Sequence, residues 1–307
     1  MLSRYNDRQR EAILATEGPL LVLAGAGSGK TRVVTGKIAY LIEHLRVSPY
    51  HILAITFTNK AAKEMKDRVA KQLDYSVDGM WISTFHSMCV RILRRNGDAI
   101  GYDSNFAIYD SADQKTLMKD CMNELNMSKE MFKPFGVLSQ ISNWKNEGMS
   151  PDEAMKMYFG DFHKRQMAEA YRLYEKKKRE NNAMDFDDLL VKTVELFQDH
   201  PDVLALYQQK FAYVFVDEYQ DTNHIQYLLV KMLSEKAIGL TIVGDNDQSI
   251  YRWRGADIGN ILSFEKDFPG ARTILLEQNY RSTTPILKGA NTLIANNPAL
   301  KKKSLWT

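Results

Sequence analysis

A chain of 307 residues, 44% of them hydrophobic, is long enough to bury one large core or two moderate ones and is ordinary for a globular protein. It contains no apolar run near the roughly 18 residues of a membrane span, and its first residues lack the apolar core of a signal peptide, so the cytoplasm is the expected compartment and no membrane partner is expected. Cys89 and Cys121 have no metal-ligand spacing and read as small buried apolar residues, while a formal charge of +3 is too small to announce a nucleic-acid partner.

In chain order, residues 5–12 look like a helix start with Asn6 or Asp7 as its cap. Gln9 carries an amide that can read an adenine edge with one donor and one acceptor, although alone it reads as a surface glutamine. The apolar run Leu20 to Ala24 then passes into residues 25–31 (GAGSGKT), which read as a buried strand's end, a phosphate loop and a helix start. Gly25, Gly27 and Gly29 let backbone N–H groups turn inward on a polyphosphate, and the positive end of the next helix adds to the attraction. Lys30 would reach the terminal phosphates and the Thr31 hydroxyl would bind Mg²⁺. Ala24 stands where the strict pattern has glycine.

Arg32 to Leu45 keeps helical spacing, with Val33, Val34, Ile38, Leu41 and Ile42 facing inward. Ile52 to Phe57 is a second strand, apolar enough to be covered on both faces. At its end, Phe57 followed by Thr58, Asn59 and Lys60 suggests a base-stacking ring beside phosphate donors; a core phenylalanine before a helix cap fits equally well. Trp81 to Ser83 opens a third strand with His86 near its end, and His86 alone reads as a structural histidine.

From about Tyr109 to Met184 strands largely disappear and methionines recur, which predicts a mostly helical insert of about 75 residues with methionine as core filling. Lys176-Lys177-Lys178-Arg179 reads as a solvated helix face, with phosphate contact as the minority reading. The sheet resumes at Tyr213 to Val216 and ends in Asp217-Glu218, where an aspartate suits Mg²⁺ and the glutamate can polarise an attacking water. After the strand Leu240 to Gly244, Gln248 can bond a terminal phosphate or its water, and Tyr251, Trp253 and Arg254 form an aromatic and basic cluster suited to single-stranded nucleic acid. Strands alternating with helices in this way predict an α/β fold whose parallel sheet gathers ligands at the carboxyl ends of its strands.

Residues 24–31 (AGAGSGKT), 54–62 (AITFTNKAA), 84–87 (TFHS), 185–189 (DFDDL), 216–222 (VDEYQDT), 243–255 (VGDNDQSIYRWRG) and 276–282 (LEQNYRS) together resemble the UvrD/Rep/PcrA group of superfamily 1 DNA helicases, in the family's order and over essentially the whole chain. The resemblance implies a P-loop NTPase (RecA-like) parallel sheet flanked by helices, with a mostly helical inserted subdomain. It implies motor domain 1A over 1–108 and 185–280, the insert 1B over 109–184, and the start of domain 2A over 281–307.

It also implies roles. Gln9 and Tyr280 would hold adenine, with Arg32 near the base; Gly25, Ala26, Gly27, Ser28, Gly29, Lys30 and Thr31 would hold the phosphates of ATP. Thr31 and Asp217 would serve Mg²⁺, Glu218 would activate water, Gln248 would couple phosphate to DNA, and Arg281 would contact the γ-phosphate. Phe57, Thr58, Asn59, His86, Tyr251, Trp253 and Arg254 would line the path of single-stranded DNA near duplex junctions, and DNA-repair or replication proteins would be partners.

Family members continue for several hundred residues past this point, through motifs that supply a further arginine, so turnover by residues 1–307 alone is expected to be weak. Thr284 to Asn296 carries an apolar face of Ile286, Leu287, Ala290, Leu293 and Ile294 that is expected to need a covering domain or neighbour. Three rivals stand beside this reading. They are an ATP- and DNA-binding module without useful turnover, a helicase–nuclease, and a small-molecule P-loop kinase, which leaves residues 245–254 unexplained.

Overall fold

Among the described residues the chain lays down eight strands: β1 (Gly18–Ala24), β2 (Ile52–Thr56), β3 (Trp81–Thr84), β4 (Ala107–Ile108), β5 (Ala183–Met184), β6 (Tyr213–Val216), β7 (Gly239–Gly244) and β8 (Arg272–Leu276). They belong to a computed structural model that describes residues 2–73, 77, 79–252, 255–296 and 303–307. The chain divides into two compact units, one of Met1–Phe85, Ala205–Thr222 and Val230–Thr307, the other of His86–Leu204 and Asn223–Leu229. Among the described residues, no helix is long and apolar enough to cross a membrane.

The first unit is built on a six-stranded sheet of order β3-β2-β6-β7-β1-β8, every pair parallel. β2, β6 and β7 are buried along their whole length, which is why their sequences are continuous apolar runs and do not alternate. Parallel pairing has one decisive consequence. Ala24, Thr56, Thr84, Val216, Gly244 and Leu276 all end at the same edge, so the loops that follow them converge.

The helix Lys30–Glu43 covers the sheet with the five expected residues, Val33, Val34, Ile38, Leu41 and Ile42, all buried. The first helix, Asp7–Leu14, is capped by Asn6 in a reciprocal box with Gln9. That box explains why Gln9 is 1% exposed and not a surface residue. The helix Thr284–Ile294 buries Leu287, but Ile286 and Leu293 remain 62% and 71% exposed. The segment 303–307 meets this helix through Asn291, whose side chain exchanges hydrogen bonds with Leu305, and it leaves most of the apolar face bare.

The second unit is helical apart from the two-stranded pair β4-β5. Met118, Met122 and Met127 fill its core beside Trp144 and Tyr174, whereas Met131 and Met157 are exposed. Both cysteines are buried free thiols, and burial pushes the Cys89 thiol up to about 12.

The 176–179 run is not the solvated face that its charge suggests. Lys176 is exposed and Lys177 pairs with Glu124, but Lys178 is 0% exposed. Its ammonium lies 2.8 Å from Glu175 and Asp185 and bonds Asp188. Lys145, also buried, sits 2.8, 2.8 and 2.6 Å from the same three carboxylates. Asp185 and Asp188 form the reciprocal cap of the helix Phe186–Asp199, so the DFDDL sequence is a capping box turned inward onto two lysines. The positions a cation would take among these acids are held by ammonium groups.

Candidate nucleotide-binding site

At the end of β1 the backbone turns through Gly27 (φ +71°) and Gly29 (φ +89°), left-handed values that favour glycine. A Cβ at Gly27 would lie 2.7 Å from both the Asn279 amide nitrogen and Arg281 Cβ, so the loop is in direct contact with the segment after β8. Ser28 closes the turn by donating from its hydroxyl to Gly25 O at 2.7 Å. The helix Lys30–Glu43 then begins at Gly29 with no side-chain cap, leaving its first-turn N–H groups for whatever occupies the loop.

Opposite the loop stands the end of β6. Lys30 Nζ is 3.1 Å from Glu218 Oε2, and Thr31 Oγ1 donates to Asp217 Oδ2 at 3.3 Å. Glu218 has φ +52°, a strained value for a side-chain-bearing residue. Its N–H donates to Asp217 Oδ1 at 2.9 Å. Burial, and then the charge of Glu218, push the Asp217 carboxyl up to about 6 despite Lys30. A hydroxyl and a buried carboxylate short of positive charge, beside a cradle of backbone N–H groups, are the donor set that suits a hard divalent cation and a polyphosphate.

Two residues without an assigned role in the sequence tie this site together. Gln220, buried, donates to Glu218 Oε2 at 2.8 Å and accepts from the N–H of Asp245 at 2.9 Å, joining the end of β6 to that of β7. Asn279 donates to Ala26 O at 2.5 Å and accepts from the N–H groups of Arg281 and Ser282 at 2.8 and 2.7 Å. Both lie inside motifs that the chain displays, but only the fold shows which loops they bridge.

Gln9 donates to Ser28 O at 2.9 Å, and its neighbour Asn6 donates to the Tyr280 hydroxyl at 2.8 Å, so Gln9, Tyr280 and the loop lie together. The Tyr280 ring is exposed. Arg32 lies over the Tyr5 ring at 5.0 Å and bonds Arg4 O, turned toward the N-terminal segment. Arg281 is exposed at the loop's rim. Gln248 donates to Asp245 Oδ2.

Phe57 is half-buried and stacks on Tyr251, ring centroids 6.3 Å apart at 14°. The Thr58 hydroxyl accepts from Ala61 N–H at 3.1 Å, and Thr58 and Asn59 are exposed. Trp253 and Arg254 lie outside the described residues. His86 belongs to the second unit, where it meets Phe186 edge-on at 6.2 Å and burial lowers its pKa.

A glycine-turned loop with Lys-Thr, facing a strand-end Asp-Glu pair on one edge of a parallel sheet, defines the class: a RecA-like P-loop fold. The chain belongs to the UvrD/REP helicase N-terminal domain family, whose model it matches over residues 5–269. It is 55% identical over all 307 residues to the ATP-dependent DNA helicase PcrA of Staphylococcus aureus (strain Mu50) and to that of Bacillus subtilis (strain 168), covering 42% and 41% of those proteins. The PcrA of Staphylococcus epidermidis is 54% identical over the same length. The chain therefore spans less than half the length of these curated relatives.

Proposed function

We propose that this chain is the ATP-binding N-terminal motor region of a 3′–5′ DNA helicase, in which ATP hydrolysis drives movement along single-stranded DNA. The carrying observation is the meeting of Lys30 with Glu218 and of Thr31 with Asp217 at the carboxyl edge of the sheet. In this reading residues 1–108 and 185–280 are motor domain 1A, residues 109–184 are the helical insert 1B, and residues 281–307 begin domain 2A.

Residues 25–31 bind the phosphates, and Gln9 with Tyr280 binds the base. Thr31 and Asp217 hold Mg²⁺, which supplies charge neutralisation to the transferring phosphoryl group. Glu218, held by Lys30 and Gln220, takes the proton of the attacking water. Gln248 couples the phosphate to the DNA path, and Arg281 contacts the γ-phosphate. Phe57 and Tyr251 stack on bases, and the names of the 55% identical relatives support DNA as the polymer.

The test is phosphate release by the intact protein with and without single-stranded DNA. Hydrolysis stimulated by DNA, and lost by about 10² to 10⁴ in Glu218→Gln with nucleotide binding retained, supports the proposal. Binding of both ligands without stimulated hydrolysis would favour a non-turnover module instead.

A further inference from the structure

Lys303 is a charge that the motor reading leaves without a task. It follows the helix Thr284–Ile294, and its side chain is 2% exposed. Its Nζ lies 2.5 Å from Asp245 Oδ1, 2.5 Å from Asp247 Oδ2 and 2.9 Å from Asn246 Oδ1, all in the loop that leaves β7. Asp245 uses its other oxygen to accept from the Gln248 amide, and its backbone N–H donates to Gln220, which in turn holds Glu218. One buried carboxylate thus stands between Lys303 and Gln248.

The residues that follow Lys303 are themselves fixed in place. Ser304 N–H donates to Glu277 Oε1 at 2.7 Å, Trp306 N–H to Glu277 O at 3.1 Å, and Asn279 N–H to Trp306 O at 2.7 Å. Leu305 packs so closely on Gly25 that a Cβ there would lie 2.2 Å from Leu305 Cδ2. A shift of this segment therefore moves Lys303 relative to the loop after β7.

We propose that Lys303 is a positioning residue for Gln248: it neutralises Asp245 and Asp247, fixes the carboxylate that orients the Gln248 amide, and so links the placement of residues 303–306 to the phosphate end of the site. The inference rests on the motor reading above. Without the ammonium, two nearby carboxylates in a mostly buried loop lose their counter-charge, and the loop must rearrange or take up water. The phosphate loop and the base-binding residues are untouched, so the loss falls on turnover and not on ATP binding.

The experiment is a double-mutant cycle in the intact protein, reading kcat and KM of DNA-stimulated ATP hydrolysis for Lys303→Met, Gln248→Ala and the pair, with Lys303→Arg alongside. Lys303→Met is expected to lower kcat at least tenfold with KM for ATP changed less than threefold, and to cost less than a further twofold in the Gln248→Ala background. Lys303→Arg is expected to fall between wild type and Lys303→Met. Should Lys303→Met fail to fold, the same cycle run with Lys303→Arg carries the test. Losses that multiply in the double variant, or an unchanged kcat in Lys303→Met, overturn the proposal alone. Absence of DNA-stimulated hydrolysis in the wild type overturns the motor reading, and this proposal with it.

Discussion

Replacing Lys178 by methionine tests how the helical unit is held together. The side chain keeps most of its length, so packing is largely preserved, but the buried cluster changes from three carboxylates against two ammonium groups to three against one. Removing one member of a buried ion network typically costs about 3 to 5 kcal/mol, because the remaining charge is left uncompensated. For a folding unit of this size that is a melting-temperature loss of roughly 10 to 20 °C.

The pH dependence gives a sharper signature. Burial, Asp185 and Glu175 push the Asp188 carboxyl from its ordinary 3.8 up to about 6, the expected response to one excess negative charge. A group raised in the folded state binds its proton there before the unfolded chain does, so its contribution is fully present below about 4 and is lost as pH rises through about 6. Asp185 and Glu175 are held low by the lysines, and their contribution fades only at more acidic pH.

With Lys178 gone, a cluster carboxyl should keep its proton to higher pH. Each pH unit over which the folded state alone holds that extra proton returns about 1.4 kcal/mol. Urea unfolding followed by circular dichroism at pH 7.5 and pH 5 should show a deficit that shrinks on acidification. A deficit below about 1 kcal/mol at pH 7.5, or one unchanged at pH 5, would refute the reasoning.

Other outcomes concern the first unit. Gly27→Ala combines a left-handed backbone with a Cβ 2.7 Å from Asn279 and Arg281, and left-handed geometry alone costs about 1 to 2 kcal/mol. Titration with a fluorescent nucleotide should show affinity down about tenfold or more, and affinity within twofold of wild type would contradict the close packing. Phe57→Ala or Tyr251→Ala removes half of the stacked pair; at about 1 to 3 kcal/mol per base, single-strand binding by anisotropy should weaken roughly 5- to 150-fold. Unchanged affinity in both variants would remove these rings from the DNA path.

Much of the architecture is legible in the residues because it depends on local rules. Continuous apolar runs such as Ile52 to Thr56 and Tyr213 to Val216 declare strands covered on both faces, and the burial of β2 and β6 agrees. Asn6 as a cap, the inward face of the helix Lys30–Glu43 and the glycine-turned loop before Lys30 follow from short-range geometry. The family, too, is carried by motif order along the chain.

What the chain by itself determined, then, was five strands of its main sheet, its glycine-turned loop and the residue types at its strand ends, because backbone geometry and side-chain type act within a few residues. Only the tertiary structure decided which charges are buried. Lys178 looks like part of a solvated run until Asp185 and Asp188 are folded against it, and Gln9 looks like a surface amide until its cap is closed. Lys303 meets Asp245 across 58 residues of sequence, and Gln220 reaches the N–H of Asp245 across 25. Such pairings depend on strand order and crossover, which no local pattern encodes, and burial then makes each partner's charge decisive.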